Sequence, residues 1–269
     1  MKKLFFLALV AVSSHAESPA ASKVAQKIDV KGLRVEVIDA VVVPAPNEVF
    51  NVLDKVAGKP HWEDVLRKNK ATVVPMPDRE HTALLLGTVI AEGFVAVEAQ
   101  AADEVKKIGK SVLNLSKAIG VEKAAVNRSK AIIDAADKKD WVAVQRELDK
   151  ATLDVKSAMI EIDDIELSHL VSLGGWVRGT EALTQVVKKN YTKDGAELLH
   201  QPTLVEYFDR RISEMKPERK GKPVVKEVHD ALNEIRPLMG GGGEISEKTV
   251  GQVGAIAARV VKTIQSKTN

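Results

Sequence analysis

The segment from Thr82 to Val97 limits the possible folds most, because its side chains are apolar on every side except at Glu92. A helix without a polar face must be surrounded by other helices, since apolar surface left in water costs free energy. Gly87 and Gly93 inside the segment, together with Glu92, argue against a membrane span. The segment therefore predicts the central helix of a bundle. We expect Glu92 to be buried in this helix, and we expect the helix to contact the later segment 165–183.

A second pattern runs from Trp141 to Ile165, where apolar residues recur every three or four positions without a break. Asp140 can cap such a helix at its start. The pattern predicts one continuous helix that packs along another helix through its apolar side. Shorter patterns of the same period predict further helices over residues 105–119, 204–215, 228–238 and 250–264.

The composition agrees with these patterns. Hydrophobic residues make up 45% of the chain but aromatic residues only 4%, so aliphatic side chains must fill the core. Aliphatic cores of this kind are typical of helix bundles. We therefore predict an all-α fold, a multi-helix bundle of helical hairpins with an extended N-terminal arm and a C-terminal amphipathic helix.

Residues 1–16 have the features of a secretory signal peptide. Two lysines precede the apolar run 4–12, and small residues follow at Ser14 and Ala16. The run is much shorter than the roughly 20 residues that span a bilayer, so it predicts cleavage before Glu17 and no transmembrane anchor. The chain has no cysteine, which excludes disulfides and a lipid-modified cysteine. We expect a periplasmic or secreted protein.

The rest of the chain divides into three predicted parts. Residues 17–46 form an N-terminal tether or extended arm, in which the β-branched stretch 35–43 is either a strand or an arm packed on helices. Residues 47–216 form the core of the bundle. Residues 217–269 supply C-terminal helices around a glycine-rich joint at 240–243. The last helix is basic and amphipathic, and it either docks on the bundle or binds elsewhere.

Charge and motifs exclude several classes of function. The formal net charge of the chain is +3, and removal of the two signal-peptide lysines would leave +1. This balance gives no electrostatic reason to expect nucleic acid as a partner. The sequence has no cysteine nucleophile, no Gly-x-Ser-x-Gly elbow and no phosphate-binding loop. We predict no cofactor and no catalytic set.

The glycine-rich stretch 173–180 contains Trp176 and Arg178. One interpretation is a close helix crossing, with Trp176 in the core and Arg178 paired with Glu181. The alternative is a cleft in which Trp176 and Arg178 together hold an amphiphile with an anionic head. In that alternative the ligand-binding residues are Gly87, Glu92, Phe94, Trp176 and Arg178.

Two Glu-x-x-His pairs raise the possibility of a metal site, because carboxylate-bridged di-metal bundles use this spacing. The pairs are only 31 positions apart, which leaves little room for the usual intervening helix. Chance pairing in a glutamate-rich helical protein is the competing interpretation. The metal ligands under this alternative are Glu92, Glu166, His169, Glu197 and His200.

Three functional hypotheses follow from these patterns. The first is a non-enzymatic binding or adaptor protein of the cell envelope, with an envelope protein as its partner. The second is a carrier of an apolar or amphiphilic small molecule. The third is a metal-dependent enzyme that uses carboxylate and histidine ligands. The sequence does not fix the oligomeric state.

Overall fold

The computed structural model describes residues 35–38, 41–44, 50, 52–53, 60–67, 73–241 and 243–266. The predicted signal peptide and most of the predicted arm lie outside these residues. Within the arm, β1 (Val35–Ile38) and β2 (Val41–Pro44) pair as an antiparallel hairpin, with Val35 opposite Pro44. The β-branched stretch therefore forms strands, which is one of the two alternatives that its sequence left open.

Beyond the hairpin, the described chain is helical. Its helices are α1 (Trp62–Val65), α2 (Arg79–Glu98), α3 (Ala102–Ala118), α4 (Glu122–Asp137), α5 (Trp141–Glu161), α6 (Ile165–Lys189), α7 (Lys193–Glu197), α8 (Pro202–Ser213), α9 (Pro217–Lys220), α10 (Pro223–Met239) and α11 (Glu247–Gln265). The described residues all belong to one compact unit. This arrangement confirms the predicted all-α multi-helix bundle.

The helices from α2 to α6 follow one another through four connections of three residues each. In every connection the middle residue has a left-handed backbone, with φ between 52° and 87°. The N–H of the third residue donates to the carbonyl five residues earlier, as Asp164 does to Met159 at 2.8 Å. This pattern is a Schellman motif, and such short turns make successive helices antiparallel neighbours. The middle residues are Gln100, Gly120, Lys139 and Asp163.

The prediction of one continuous helix from Trp141 to Ile165 is wrong. Helix α5 ends at Glu161, and α6 begins at Ile165 after the last of these turns. Ile162 and Ile165 are exposed, so the end of the pattern does not face inward. A three-residue turn preserves the spacing of apolar residues, and the left-handed residue is an aspartate rather than a glycine. The sequence pattern therefore crosses the turn without a visible break.

The predicted central helix is confirmed as α2. It is capped by Asp78, whose side chain accepts from the His81 N–H at 2.7 Å. Every residue from Glu80 to Val97 is buried, because α3, α5, α6 and α11 all pack around it. Among the described helices, α2 alone has the length and apolar composition to cross a membrane, and here it lies wholly inside the bundle. Glu92 is buried, as predicted.

Helices α2 and α6 make the closest contact in the bundle, and glycine makes it possible. A Cβ atom at Gly87 would lie 1.9 Å from the Val171 carbonyl oxygen, and one at Gly174 would lie 2.1 Å from the Leu84 carbonyl oxygen. Both distances are far below van der Waals contact. Each glycine inside a helix costs about 1 kcal/mol relative to alanine. The close crossing explains their presence here, because no larger residue fits between the two backbones. The close helix crossing predicted for the glycine-rich stretch is confirmed, whereas Trp176 is half-buried at the edge of the core rather than inside it.

The C-terminal helix docks on the bundle. Helix α11 packs against α6 and α10, and its apolar side is buried. A Cβ atom at Gly254 would lie 2.8 Å from the Thr184 hydroxyl oxygen, so α11 also approaches α6 closely. On its outer side, Arg259 pairs with Glu227 and Glu234 of α10. Because its apolar side is buried in the bundle, α11 does not present that side to another partner.

Candidate functional site

Arg178 lies at the centre of a buried ionic network between α2 and α6. Its Nε donates to the Glu92 carboxylate at 2.5 Å, and its Nη2 donates to the Val65 carbonyl at 2.8 Å. The Nη1 atom lies 3.4 Å from the Glu181 carboxylate. All three charged side chains are buried. The predicted pairing of Arg178 with Glu181 is confirmed, and Glu92 is a second partner.

Arg67 closes this network on its outer side. Its backbone N–H donates to Glu92 at 2.6 Å, and its Nε donates to Glu181 at 3.2 Å. The guanidinium also reaches Gln265 at the end of α11, at 3.4 Å. Two arginines thus balance two glutamates. Buried charges are stable only when they are paired and hydrogen-bonded, so the network links four segments of the chain and leaves no free cation for a ligand.

Trp176 and Arg178 do not share a cleft. Helix α6 stays regular through its glycines, and residues two apart on a helix point in different directions. The Trp176 indole donates to Gln201 at 2.8 Å, and its ring lies against Phe208. Phe94 is core. Of the residues in the ligand-binding alternative, Glu92 pairs with Arg178. Gly87 packs directly against the backbone of α6, and Trp176 contacts Gln201 and Phe208 instead of Arg178.

The cavity beside Trp176 is too small for a carried ligand. It lies between α6, α10 and α11 and has a volume of about 10 Å³. A single water molecule needs roughly that much space, whereas pockets for small-molecule ligands measure roughly 300 to 1,000 Å³. The lining is apolar, and its residues are Trp176, Val177, Thr180, Val228, Ala231, Leu232, Ile235, Ala257 and Val260. This cavity gives the carrier hypothesis no support.

The residues predicted to bind metal lie apart. Glu166 accepts from the Lys216 backbone N–H at 3.0 Å. His169 is buried, as its place on the apolar pattern indicated, and its Nδ1 lies 3.1 Å from the Tyr207 hydroxyl. Glu197 is exposed, near the end of the short helix α7. Within the described residues, no three histidine or acidic side chains come together in a way that could hold a metal ion.

A second ionic cluster joins the turn before α6 to the short helix α9. Arg219 binds Asp164 with two hydrogen bonds, one of them at 3.1 Å, and also lies 3.2 Å from Glu80. Arg79 lies 2.8 Å from Asp164. Burial alone would raise the pKa of Asp164, but the hydrogen bonds and charges of Arg219 and Arg79 outweigh burial and hold that pKa below its ordinary value.

The outer side of α5 exposes aliphatic side chains in one line. The exposed fraction is 73% for Val142, 48% for Leu153 and 54% for Ile160. Separations of 11 and 18 residues are close to whole turns of an α-helix, so these three side chains lie on one side. Asp149, which is half-buried, lies in the same line. We call the surface formed by Val142, Asp149, Leu153 and Ile160 the α5 face.

One edge of the α5 face carries an ionic cluster. Lys150, Arg128 and Arg146 surround the Glu147 carboxylate, with distances of 3.0, 2.9 and 3.3 Å. Burial raises the pKa of Glu147, but the hydrogen bonds from these cations outweigh burial and lower it overall. The side chains of Arg146 and Lys150 are 53% and 43% exposed, against 9% for Glu147. Arg128 also lies 2.6 Å from Asp154, whose side chain is 40% exposed, so the edge presents both cations and a carboxylate to solvent.

The sequence pattern did not predict the α5 face, because the apolar stripe that indicates this helix lies on its buried side. Val142, Leu153 and Ile160 are apolar residues that fall off the buried stripe. An ordinary surface helix is polar on the side opposite its core. A count of apolar residues on that side is the signal that would have revealed the face.

Comparison with known proteins adds no functional assignment. The sequence matches no protein-family model, and no curated protein or solved structure matches it significantly. The functional conclusion therefore depends on the geometry of the described residues. That geometry includes three ionic clusters that join helices, around Arg178, Arg219 and Glu147, and one side of a helix with exposed aliphatic residues.

Proposed function

We propose that the protein is a non-enzymatic binding or adaptor protein of the cell envelope, and that it docks another protein through the α5 face. The observation that carries this proposal is the exposure of three aliphatic side chains on one side of a single helix. Scattered exposed apolar residues are normal in proteins, so the support for the proposal lies in the position of these three on one side of one helix, where Asp149 stands between Val142 and Leu153. From Val142 to Ile160 the line is about 27 Å long at 1.5 Å per residue.

The proposed location in the cell envelope rests on the sequence of residues 1–16. Their basic start, short apolar run and small residues at Ser14 and Ala16 favour export and removal of a signal peptide. The mature protein then begins near Glu17 in the periplasm or outside the cell. N-terminal sequencing of exported protein is expected to begin near Glu17, whereas an intact Met1 would contradict the export part of the proposal.

A binding role is favoured over the two alternative functions by how the charged residues are used. Arg178 and Glu92 neutralise each other in the interior, so they are not placed to hold a ligand head group. Glu166 is occupied by Lys216 and Arg219. The polar groups that could have served a carrier or a metal enzyme instead connect helices, and the α5 face remains available.

Native mass spectrometry of protein isolated from its own export compartment tests this function. We expect a complex with a second polypeptide at fixed stoichiometry, and we expect that complex to disappear in Leu153→Ser. The matched control is Leu198→Ser, which replaces a half-buried leucine beyond α7. A stoichiometric lipid or metal ion in place of a polypeptide would overturn the proposal.

A further inference from the structure

We infer that Glu181 of α6 and Gln265 of α11 form a binding site for a guanidinium group, and that the chain fills this site with its own Arg67. We call these two side chains the guanidinium site. When Arg67 is removed, the site accepts an alkylguanidinium from outside the chain. No residue of the α5 face takes part in it, so it is independent of the docking role proposed for that face.

The contacts of Arg67 are those of a planar guanidinium held by matching acceptors. Its Nε donates to one oxygen of the Glu181 carboxylate at 3.2 Å, and its Nη2 donates to the other oxygen. Its Nη1 lies 3.4 Å from the Gln265 side-chain oxygen. Three acceptor atoms on two helices therefore face the three nitrogen atoms of one group. An ammonium group is a single point of charge and cannot reach all three, so the site favours guanidinium.

The charges around Arg67 require a cation at this position. Glu92, Arg178 and Glu181 are all buried, whereas the Arg67 side chain is 32% exposed. Without Arg67, two buried glutamates would share one arginine, and one buried negative charge would lack a partner. An unpaired buried charge is strongly destabilising. Arg67 supplies the missing positive charge from the surface, which is also the side from which an outside guanidinium can enter.

The Glu181 carboxylate is directed to Arg67 more than to Arg178 on its own helix. The Arg178 Nη1 atom is buried and has no hydrogen-bond partner among the described residues, although Glu181 lies only 3.4 Å away. Arg178 instead donates to Glu92 and to the Val65 carbonyl through its other nitrogen atoms. A carboxylate that served only to balance Arg178 would complete that hydrogen bond. The orientation of Glu181 therefore indicates a site for the cation at the surface.

The Arg67 side chain can be removed without removing the backbone contacts of its segment. The Arg67 N–H donates to Glu92 at 2.6 Å, and the Val65 carbonyl accepts from Arg178 at 2.8 Å. Both contacts use backbone atoms, which a substitution of Arg67 leaves in place. Arg67→Ala therefore empties the guanidinium site and keeps the segment attached to α2 and α6.

Chemical rescue of Arg67→Ala tests the inference. The melting temperature of the full mature protein is measured in sodium chloride, ethylammonium chloride and ethylguanidinium chloride, each at about 20 mM, far below the molar concentrations at which guanidinium unfolds proteins. Acetyl-Gly-Arg-Gly-amide and its citrulline analogue are measured in the same way, because an arginine side chain of another protein is the second possible source of the group. If Arg67→Ala is unfolded, the same compounds are tested for recovery of its helical circular dichroism.

Two proteins serve as matched controls. In the wild-type protein Arg67 already fills the site. In the double variant Arg67→Ala and Glu181→Gln the carboxylate of the site is absent, and the remaining buried charges, Glu92 and Arg178, balance each other. This double variant is therefore expected to fold.

We expect ethylguanidinium to raise the melting temperature of Arg67→Ala by about 2 °C or more relative to sodium chloride, because a ligand that binds only the folded state stabilises it. Ethylammonium should give less than half of this shift. Neither control should respond. If the arginine peptide also stabilises Arg67→Ala and the citrulline peptide does not, an arginine side chain of another protein can enter the site. If ethylguanidinium alone does so, the site admits only small guanidinium compounds.

Three results would overturn the inference. Equal shifts with ethylguanidinium and ethylammonium would show a general effect of charge and no selective site. The same guanidinium response in the wild-type protein or in the double variant would place the binding elsewhere. If no guanidinium compound stabilises or refolds Arg67→Ala, Arg67 has a structural role only.

Discussion

At the scale of single residues, the structure gives a structural role to charged side chains that the sequence made candidates for ligand or metal binding. The apolar residues around Glu92 in the sequence predicted its burial. They did not predict its pairing with Arg178 on another helix. The two residues are 86 positions apart, and the pattern of each helix contains no information about its partner's register. Arg67 lies in a segment without a periodic pattern, so its closure of the network was not predictable either.

The first residue-scale prediction concerns Glu92. Glu92→Lys removes the partner of Arg178 and adds a buried positive charge, so we expect a loss of about 3 to 5 kcal/mol in the free energy of unfolding. Glu92→Gln keeps an acceptor for the Arg67 N–H and should cost about 1 to 3 kcal/mol. Urea unfolding measures both. Glu197→Lys at an exposed site is the control and should change stability by less than about 0.5 kcal/mol. Wild-type stability of Glu92→Lys would disprove the network.

The second residue-scale prediction compares two glycines of α6. Gly174→Ala forces a Cβ atom against the Leu84 backbone carbonyl, so we expect a loss of about 1 to 3 kcal/mol or more. Gly179→Ala meets no atom within 4 Å and should gain about 1 kcal/mol from helix propensity. Thermal unfolding of both variants checks the difference. Equal effects in the same direction would mean that α2 and α6 do not cross at Gly174.

At the scale of elements, local signals predicted helix starts better than helix ends. The cap at Asp140 was predicted from the sequence, and its side chain accepts the Ala143 N–H, three residues later. The end of α5 was not predicted. Asp163 adopts the left-handed backbone conformation that usually follows a helix end, but this position is usually a glycine, and here it is an aspartate. Of the four similar turns, only the one at Gly120 has that signal.

The element-scale prediction uses the two sides of α5. Leu148 faces the core and Leu153 faces solvent, five residues away on the same helix. Leu148→Ala should cost about 2 to 5 kcal/mol, because it leaves a cavity in the core. Leu153→Ala removes the same atoms from an exposed side chain and should change stability by less than about 0.5 kcal/mol. Urea unfolding of the pair decides the orientation of α5, and equal losses would contradict it.

At the scale of the whole molecule, the sequence predicted the fold class but did not predict the ion pairs between distant segments. Apolar patterns are local and survive in any arrangement of the helices, so they predicted an all-α bundle around α2. Arg219 of α9 pairs with Asp164, 55 positions earlier, and no local pattern in the sequence indicates this pair. Ion pairs between distant segments depend on the finished packing. Of the residues in the two alternative sites, the packing joins Glu92 to Arg178 and gives Trp176, Glu166 and His169 other partners.

The prediction for the Asp164 cluster is a dependence of stability on pH. The pKa of Asp164 in the folded protein is below its ordinary value of 3.8, so the folded state prefers the ionised form. Its contribution to stability is complete above about pH 5 and is lost as the pH falls through the folded pKa. Asp164→Asn should therefore destabilise the protein at pH 7, and its difference from wild type should shrink below about pH 3. Asp163→Asn is the control, and a difference that stays constant with pH would contradict this role.

The central claim is that α5 holds the bundle together with its inner side and binds another protein with its outer side. Photocrosslinking in the exporting cell tests it directly, with a photoreactive amino acid in place of Leu153 and, as the control, in place of the exposed Lys188 of α6. A discrete crosslinked product that forms from position 153 and is absent from position 188 is the result predicted here. No product from position 153, or the same product from both positions, would contradict the claim.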